Sequence, residues 1–222
     1  MENPNNSSIV VPKRFIPETT NTSTDLTLLE SFYTDSNSNY GAIYKNQLAT
    51  TSSSYTNTSN LSVAVGYGFG GTNNIFTSTD GITWTGRNST LFYRTRGVAY
   101  ANNLWVVVGN CDDSSPYRYS IATSTDAITW TGRSQTMFRT GWSVAYGNGI
   151  WVAVGQAFAS SYPSNTIARS TDGTTWTGQG NSIFGTYANG VAFGNNLFVA
   201  VGADNPNILA SSTDGTTWTT RI

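Results

Sequence analysis

Histidine is absent from this 222-residue chain, and cysteine occurs once, at Cys111. Without histidine the commonest general base and nitrogen ligand are missing, which excludes zinc sites of the usual ligand sets. A single thiol allows no intramolecular disulfide and argues against a disulfide-stapled secreted domain. Glutamate is confined to Glu2, Glu18 and Glu30, so the carboxylate pair that glycoside hydrolysis ordinarily needs has few sources. Charged residues make up 10% of the chain, against about a quarter in ordinary domains. The 11 basic and 12 acidic residues leave a formal net charge of −1, so no global field favours nucleic acid or an anionic membrane. No apolar run reaches 18 residues, and the N-terminus lacks the basic-then-apolar layout of a signal peptide.

Polarity is carried instead by Asn, Ser, Thr and Gly, and aromatic residues reach 13%. In such a composition the sequons at Asn21, Asn57 and Asn88 are expected by chance. A heptapeptide, Ser-Thr-Asp-(Gly or Ala)-x-Thr-Trp, occurs four times, at 78–84, 124–130, 170–176 and 212–218. Its aspartates, Asp80, Asp126, Asp172 and Asp214, stand 46, 46 and 42 residues apart, a period that marks a repeat architecture. Each copy carries turn chemistry. The carboxylate accepts from backbone N–H groups one or two residues on, the serine hydroxyl does so more weakly, and the tryptophan four residues on anchors the turn. Ala127 replaces the glycine of the other copies, which predicts that this position does not require a positive φ. The structural set is Ser78, Asp80, Trp84, Ser124, Asp126, Trp130, Ser170, Asp172, Trp176, Ser212, Asp214 and Trp218.

Ser-x-Asp-x-x-x-Trp resembles the Asp-box, or bacterial neuraminidase repeat, a β-hairpin found in blades of β-propellers. That family includes sialidases and also non-enzymatic propellers such as sortilin-like receptors and photosystem assembly factors. The resemblance covers residues 41–222 and, faintly, 21–40. It implies an all-β propeller of four-stranded antiparallel blades, with the Asp-box turn between the third and fourth strands.

A second element, Gly-Val-Ala-Tyr-x-Asn-x-(Leu/Ile)-(Trp/Phe)-Val-x-Val-Gly, stands at 97–109, 143–155 (Ser143 leading) and 190–202. It reads as a short strand, a tight Asn-Gly-type turn and a strand apolar at every position, which requires cover on both faces. The first copy is split into 41–44 and 61–66 around a polar insertion, Gln47 to Asn60. Four units follow, at about 41–87, 97–133, 143–179 and 190–222, in one domain. Residues 1–40 hold every glutamate and Pro4, Pro12 and Pro17. They read as an arm or as a worn fifth copy, in which Asp25 begins the turn and Leu29 takes the tryptophan position. Asp25 precedes Ala42 by 17 residues, and Asp80, Asp126 and Asp172 precede Val98, Val144 and Val191 by 18, 18 and 19. Five blades is the expected count, with four as the alternative. An open array would leave an apolar face at each end to be buried or capped.

Of the nine aspartates, four are committed to turns and Asp25 to a fifth. Asp35, Asp112, Asp113 and Asp204 remain, and no sialidase arginine triad can be placed residue by residue. No catalytic residue and no cofactor are therefore expected. Asp112 and Asp113 are the candidate metal pair, against the preferred reading of a solvated turn ended by Pro116. Gly66 to Gly71 lacks the Lys-Ser/Thr and following helix of a phosphate loop. The Asp-boxes and Asn-Gly turns should share one rim, and the variable loops and connections the other. The variable rim carries Phe69, Tyr117, Arg118, Tyr119, Phe158 and Tyr162. The candidate ligand residues there are Arg94, Arg96, Arg139, Trp142, Tyr187 and Asn189, with Arg96, Trp142 and Asn189 just ahead of the inner strands. Aromatics beside Arg and Asn suit a glycan or a protein partner. The expected role is a non-catalytic recognition or assembly module, including a homo-oligomer or a virion or particle surface component. A sialidase-like hydrolase and an intracellular assembly factor are the alternatives.

Overall fold

The computed structural model describes residues 27–33, 40–45, 61–66, 73–88, 90–111, 119–135, 137–158, 164–203 and 208–221. Every element among them is a β-strand. β1 (Thr27–Tyr33), β2 (Tyr40–Lys45), β3 (Ser62–Val65), β4 (Asn73–Ser78) and β5 (Thr85–Asn88) form one antiparallel sheet in that order. A second sheet contains β6 (Arg94–Ala101), β7 (Leu104–Asn110), β8 (Ile121–Ser124) and β9 (Thr131–Ser134). It also contains β10 (Thr140–Gly147), β11 (Ile150–Gln156), β12 (Ile167–Ser170) and β13 (Thr177–Gly178). Among the described residues the strand pairing between its two halves is Thr140 of β10 with Asn110 of β7, so it resolves into two four-stranded meanders. β14 (Ala188–Gly194), β15 (Leu197–Gly202), β16 (Leu209–Ser212) and β17 (Thr219–Thr220) make the third sheet. The four units read from the repeats are thus β2–β5, β6–β9, β10–β13 and β14–β17. β1, which takes in Leu29 at the tryptophan position of the expected fifth Asp-box, joins the first sheet beside β2.

The first hairpins of the second, third and fourth units turn on two residues of positive φ: Asn102 and Asn103 (49° and 59°), Asn148 and Gly149 (51° and 76°), Asn195 and Asn196 (50° and 58°). Asparagine tolerates this region, and turns of this hand match the twist of the strands they join. β7 and β11 are buried at five consecutive positions, as expected of their unbroken apolar runs; β15, whose run is equally apolar, corrects that expectation for the third copy and buries alternate positions only.

Successive units pack face to face, and the first strands β2, β6, β10 and β14 each contact the next. One face of a unit is branched aliphatic: Val63, Val65 and Ile75 in the first, Val106, Val108 and Ile121 in the second, Val152, Val154 and Ile167 in the third. Against each lies the opposite face of the following unit, one aromatic beside small residues. Trp105, Val107 and Ala122 cover the first unit; Trp151, Ala153 and Ala168 cover the second; Phe198, Ala200 and Ala210 cover the third. Phe193 presses so close to Gly147 that no side chain would fit there. These three clusters are the core, and each buried valine or aromatic contributes about 1.5–3 kcal/mol.

Candidate functional site

In the Asp-box turns, Asp80 Oδ1 accepts from Ile82 N at 2.8 Å, Thr83 N at 2.7 Å and Ser78 Oγ at 2.9 Å, while Ser78 Oγ accepts from Gly81 N at 2.8 Å. Asp126, Asp172 and Asp214 repeat the pattern with Ile128 and Thr129, Thr174 and Thr175, and Thr216 and Thr217. The backbone donors thus lie two and three residues on. Those hydrogen bonds hold all four carboxyls below the usual carboxylate range, Asp126 (Thr129 N first, then Ile128 N) and Asp214 (Thr217 N first, then Thr216 N) at about 2. The indole N–H groups find partners inside the turn: Trp130 donates to Ala127 O at 3.2 Å, Trp176 to Gly173 O at 2.8 Å and Trp218 to Gly215 O at 3.2 Å. The rings are half-buried at the edge of the clusters; the fully buried indole is Trp151 of the second element.

Ala127 corrects the expectation from sequence. Its φ is 57°, beside 73°, 73° and 68° at Gly81, Gly173 and Gly215. The position does require the left-handed region. Alanine is accepted because the Asp126 bonds fix the turn and its methyl is buried against the first unit, in the cluster of Val63 and Trp105.

Two rims form as the repeat order requires. On one, Asn148 Nδ2 donates to Thr213 O of the next Asp-box at 3.4 Å. A hollow of about 170 Å3 there, beside Thr125, Asp126, Thr129 and Arg133, opens on a carboxylate already bonded within its own turn. On the other rim, the loop after each second strand meets the connection before the next unit. Cys111 N donates to Arg139 O at 3.0 Å, and Ala157 N to Thr186 O at 3.0 Å.

The candidate residues lie on this second rim, but several belong to strands rather than to the connections in front of them. β6, β10 and β14 begin earlier than the apolar pattern indicates, because each contains a bulge. Register shifts fall between Thr95 and Gly97, Gly141 and Ser143, and Ala188 and Gly190. The residues skipped are Arg96, Trp142 and Asn189. A bulge bends the strand and re-aims the side chain of the extra residue, so one device places all three at corresponding positions of successive units.

Arg96 and Trp142 meet. The Arg96 guanidinium carbon stands 4.5 Å from the Trp142 ring centroid, and Arg96 Nε donates to Asn110 Oδ1 at 3.4 Å. Trp142 Nε1 is buried without a hydrogen-bond partner. Arg94 lies over the Tyr93 ring, 5.2 Å from its centroid. Tyr187 bridges to Gln156, whose amide donates to its hydroxyl at 3.4 Å. Arg139 and Asn189 are exposed. Tyr119 and Phe158 pack inward, Tyr119 beside Gly132 and Phe158 almost wholly buried. Phe69, Asp112, Asp113, Tyr117, Arg118, Tyr162, Asp25, Asp35 and Asp204 lie outside the described residues. Asn110 and Tyr93 were not singled out from sequence; the pairing of β6 with β7 sets Asn110 opposite Arg94, two residues before the bulge.

No family model matches the chain, and no curated protein matches it. Solved structures do. A computationally designed protein, Ika8, aligns at 12% identity and a TM-score of 0.46, over 83% of this chain and 58% of its own. A putative glycosidase from Bacteroides thetaiotaomicron aligns at 12% identity and a TM-score of 0.39, over 90% of this chain and 73% of its own. The Bombyx mori GH32 beta-fructofuranosidase BmSUC1 aligns at 13% identity and a TM-score of 0.35, over 81% of this chain and 46% of its own. The chain therefore spans under two thirds of the first and third of these.

Proposed function

We propose that the four units are Asp-box blades of a β-propeller that acts as a non-catalytic recognition module, its ligand an acidic glycan held at the bulge residues. The carrying observation is the Arg96–Trp142 pair, set by the same bulge in adjacent first strands. A guanidinium held against an indole keeps its charge and gives up little conformational freedom on meeting a carboxylate. Arg139, exposed on the same rim, adds a second cation. The non-catalytic reading is supported by the four Asp-box carboxylates, each spending one oxygen on three turn hydrogen bonds. These hold them ionised far below the range a general acid needs.

The test is a glycan array probed with the intact chain and with Arg96→Ala/Trp142→Ala. Binding to carboxylate-bearing glycans, weakened at least tenfold in the variant at unchanged melting temperature, is the expected result. Unchanged binding by the variant removes the site. Turnover of a fluorogenic sialoside by the intact chain removes the non-catalytic reading.

A further inference from the structure

We infer that the aliphatic face of the fourth unit docks the first unit of a second copy of this chain, head to tail. The three internal interfaces define what such a face meets. Val106, Val108, Val152 and Val154 are fully buried under the aromatic face of the following unit. Their counterparts in the fourth unit are Val199 and Val201, which are 37% and 44% exposed. β15 buries alternate residues only, whereas β7 and β11 bury five in a row. The fourth unit is built for cover on both sides and, among the described residues, has it on one.

The covering face is also present in this chain. The positions of Trp105, Val107 and Ala122 are held in the first unit by Ser62, Ala64 and Phe76, with Ala64 directly opposite Phe76 in the register. The aromatic has moved from the second strand to the third, which keeps one large ring among small side chains. Ala64 and Phe76 remain partly exposed. One end thus offers branched aliphatics and the other a ring beside small residues, the pairing that closes every internal interface. Contact between two different surfaces of identical chains is heterologous and yields a ring or a filament. The inference does not depend on the ligand site.

The test is the mass of the full chain in solution, with Val201→Asp and Phe76→Asp, each paired with a thermal melt. The expected result is concentration-dependent assembly of the unaltered chain, and a single 23.9 kDa species for each variant alone at dilutions where the parent assembles. An unpaired carboxylate buried in the contact should raise the dissociation constant about a hundredfold or more. Mixing the two variants should restore a dimer and nothing larger, since one intact head then meets one intact tail. A parent chain that stays monomeric at every concentration overturns the proposal, as does Val201→Asp assembling like the parent. A monomeric parent whose melting falls sharply with Val201→Asp would show that the chain covers this face itself, which also overturns it.

Discussion

Ala127 holds a backbone conformation that its three counterparts reach with glycine, at a cost for an L-residue of about 1–2 kcal/mol. Burial of its methyl returns about 0.8 kcal/mol, and alanine loses less chain entropy than glycine on folding. These effects nearly cancel, so Ala127→Gly should change stability by less than about 1 kcal/mol. The same exchange in reverse is not neutral elsewhere. A methyl on Gly81 meets nothing within 4 Å, so Gly81→Ala carries backbone strain alone, about 1 kcal/mol. A methyl on Gly173 would stand 2.5 Å from Leu104 Cδ2 and 3.1 Å from Trp151 Nε1. Overpacking then adds to strain, for about 2–4 kcal/mol. Urea melts of the three variants check the order Ala127→Gly, Gly81→Ala, Gly173→Ala; equal losses at Gly81 and Gly173 would refute it. No spacing in the heptapeptide distinguishes these positions, because what differs is the neighbouring unit. That is why sequence led to the wrong expectation at residue 127.

The hairpin is the scale at which sequence was most informative. Serine, aspartate and tryptophan at fixed offsets specify bonds between near neighbours in the chain, and such bonds survive drift in everything around them. The Asn-Gly-type turns and the doubly buried second strands β7 and β11 were readable for the same local reason. The bulges were not: an extra residue breaks the alternation that marks a strand, so Arg96, Trp142 and Asn189 read as loop. The turn chemistry also fixes a pH dependence. The four aspartates have folded-state values below the unfolded value of about 3.9. Their contribution is therefore complete above about pH 4 and is lost as pH falls towards about 2, where the unfolded chain binds protons first. All four groups are solvent-exposed, so screening keeps the effect modest. Asp172→Asn should cost about 1 kcal/mol at pH 7 and flatten the slope between pH 4 and 2, measured by chemical denaturation across that range. A variant whose pH profile superimposes on the parent would show that these carboxylates do not stabilise the turns.

Across the whole molecule, the order of the four heptapeptide units was legible because the period was, while the state of the two ends was not. Whether a face is covered depends on what stands beyond it, and a repeat motif carries no record of its last neighbour. The fourth unit therefore has the same aliphatic positions as the others but not their burial, and an array with an uncovered end has a position-dependent stability. In a linear stack each unit draws its stability from itself and its neighbours, so the consequence of a core truncation depends on where it falls. Phe198 and Trp151 are both buried to 1% exposure or less, and truncation of either should cost about 3–5 kcal/mol. Phe198→Ala weakens the interface that, among the described residues, holds the fourth unit against the third. Its strands β14–β17 should open alone, with hydrogen exchange accelerated there and little changed in β6–β12. Trp151→Ala cuts the array between its second and third units and should release protection on both sides of the break. The comparison belongs in dilute solution, with Val201→Asp as the parent for both variants, so that no second copy caps the exposed face. Exchange that rises equally in all four units after Phe198→Ala would mean that the ends support each other and that the stack is not open.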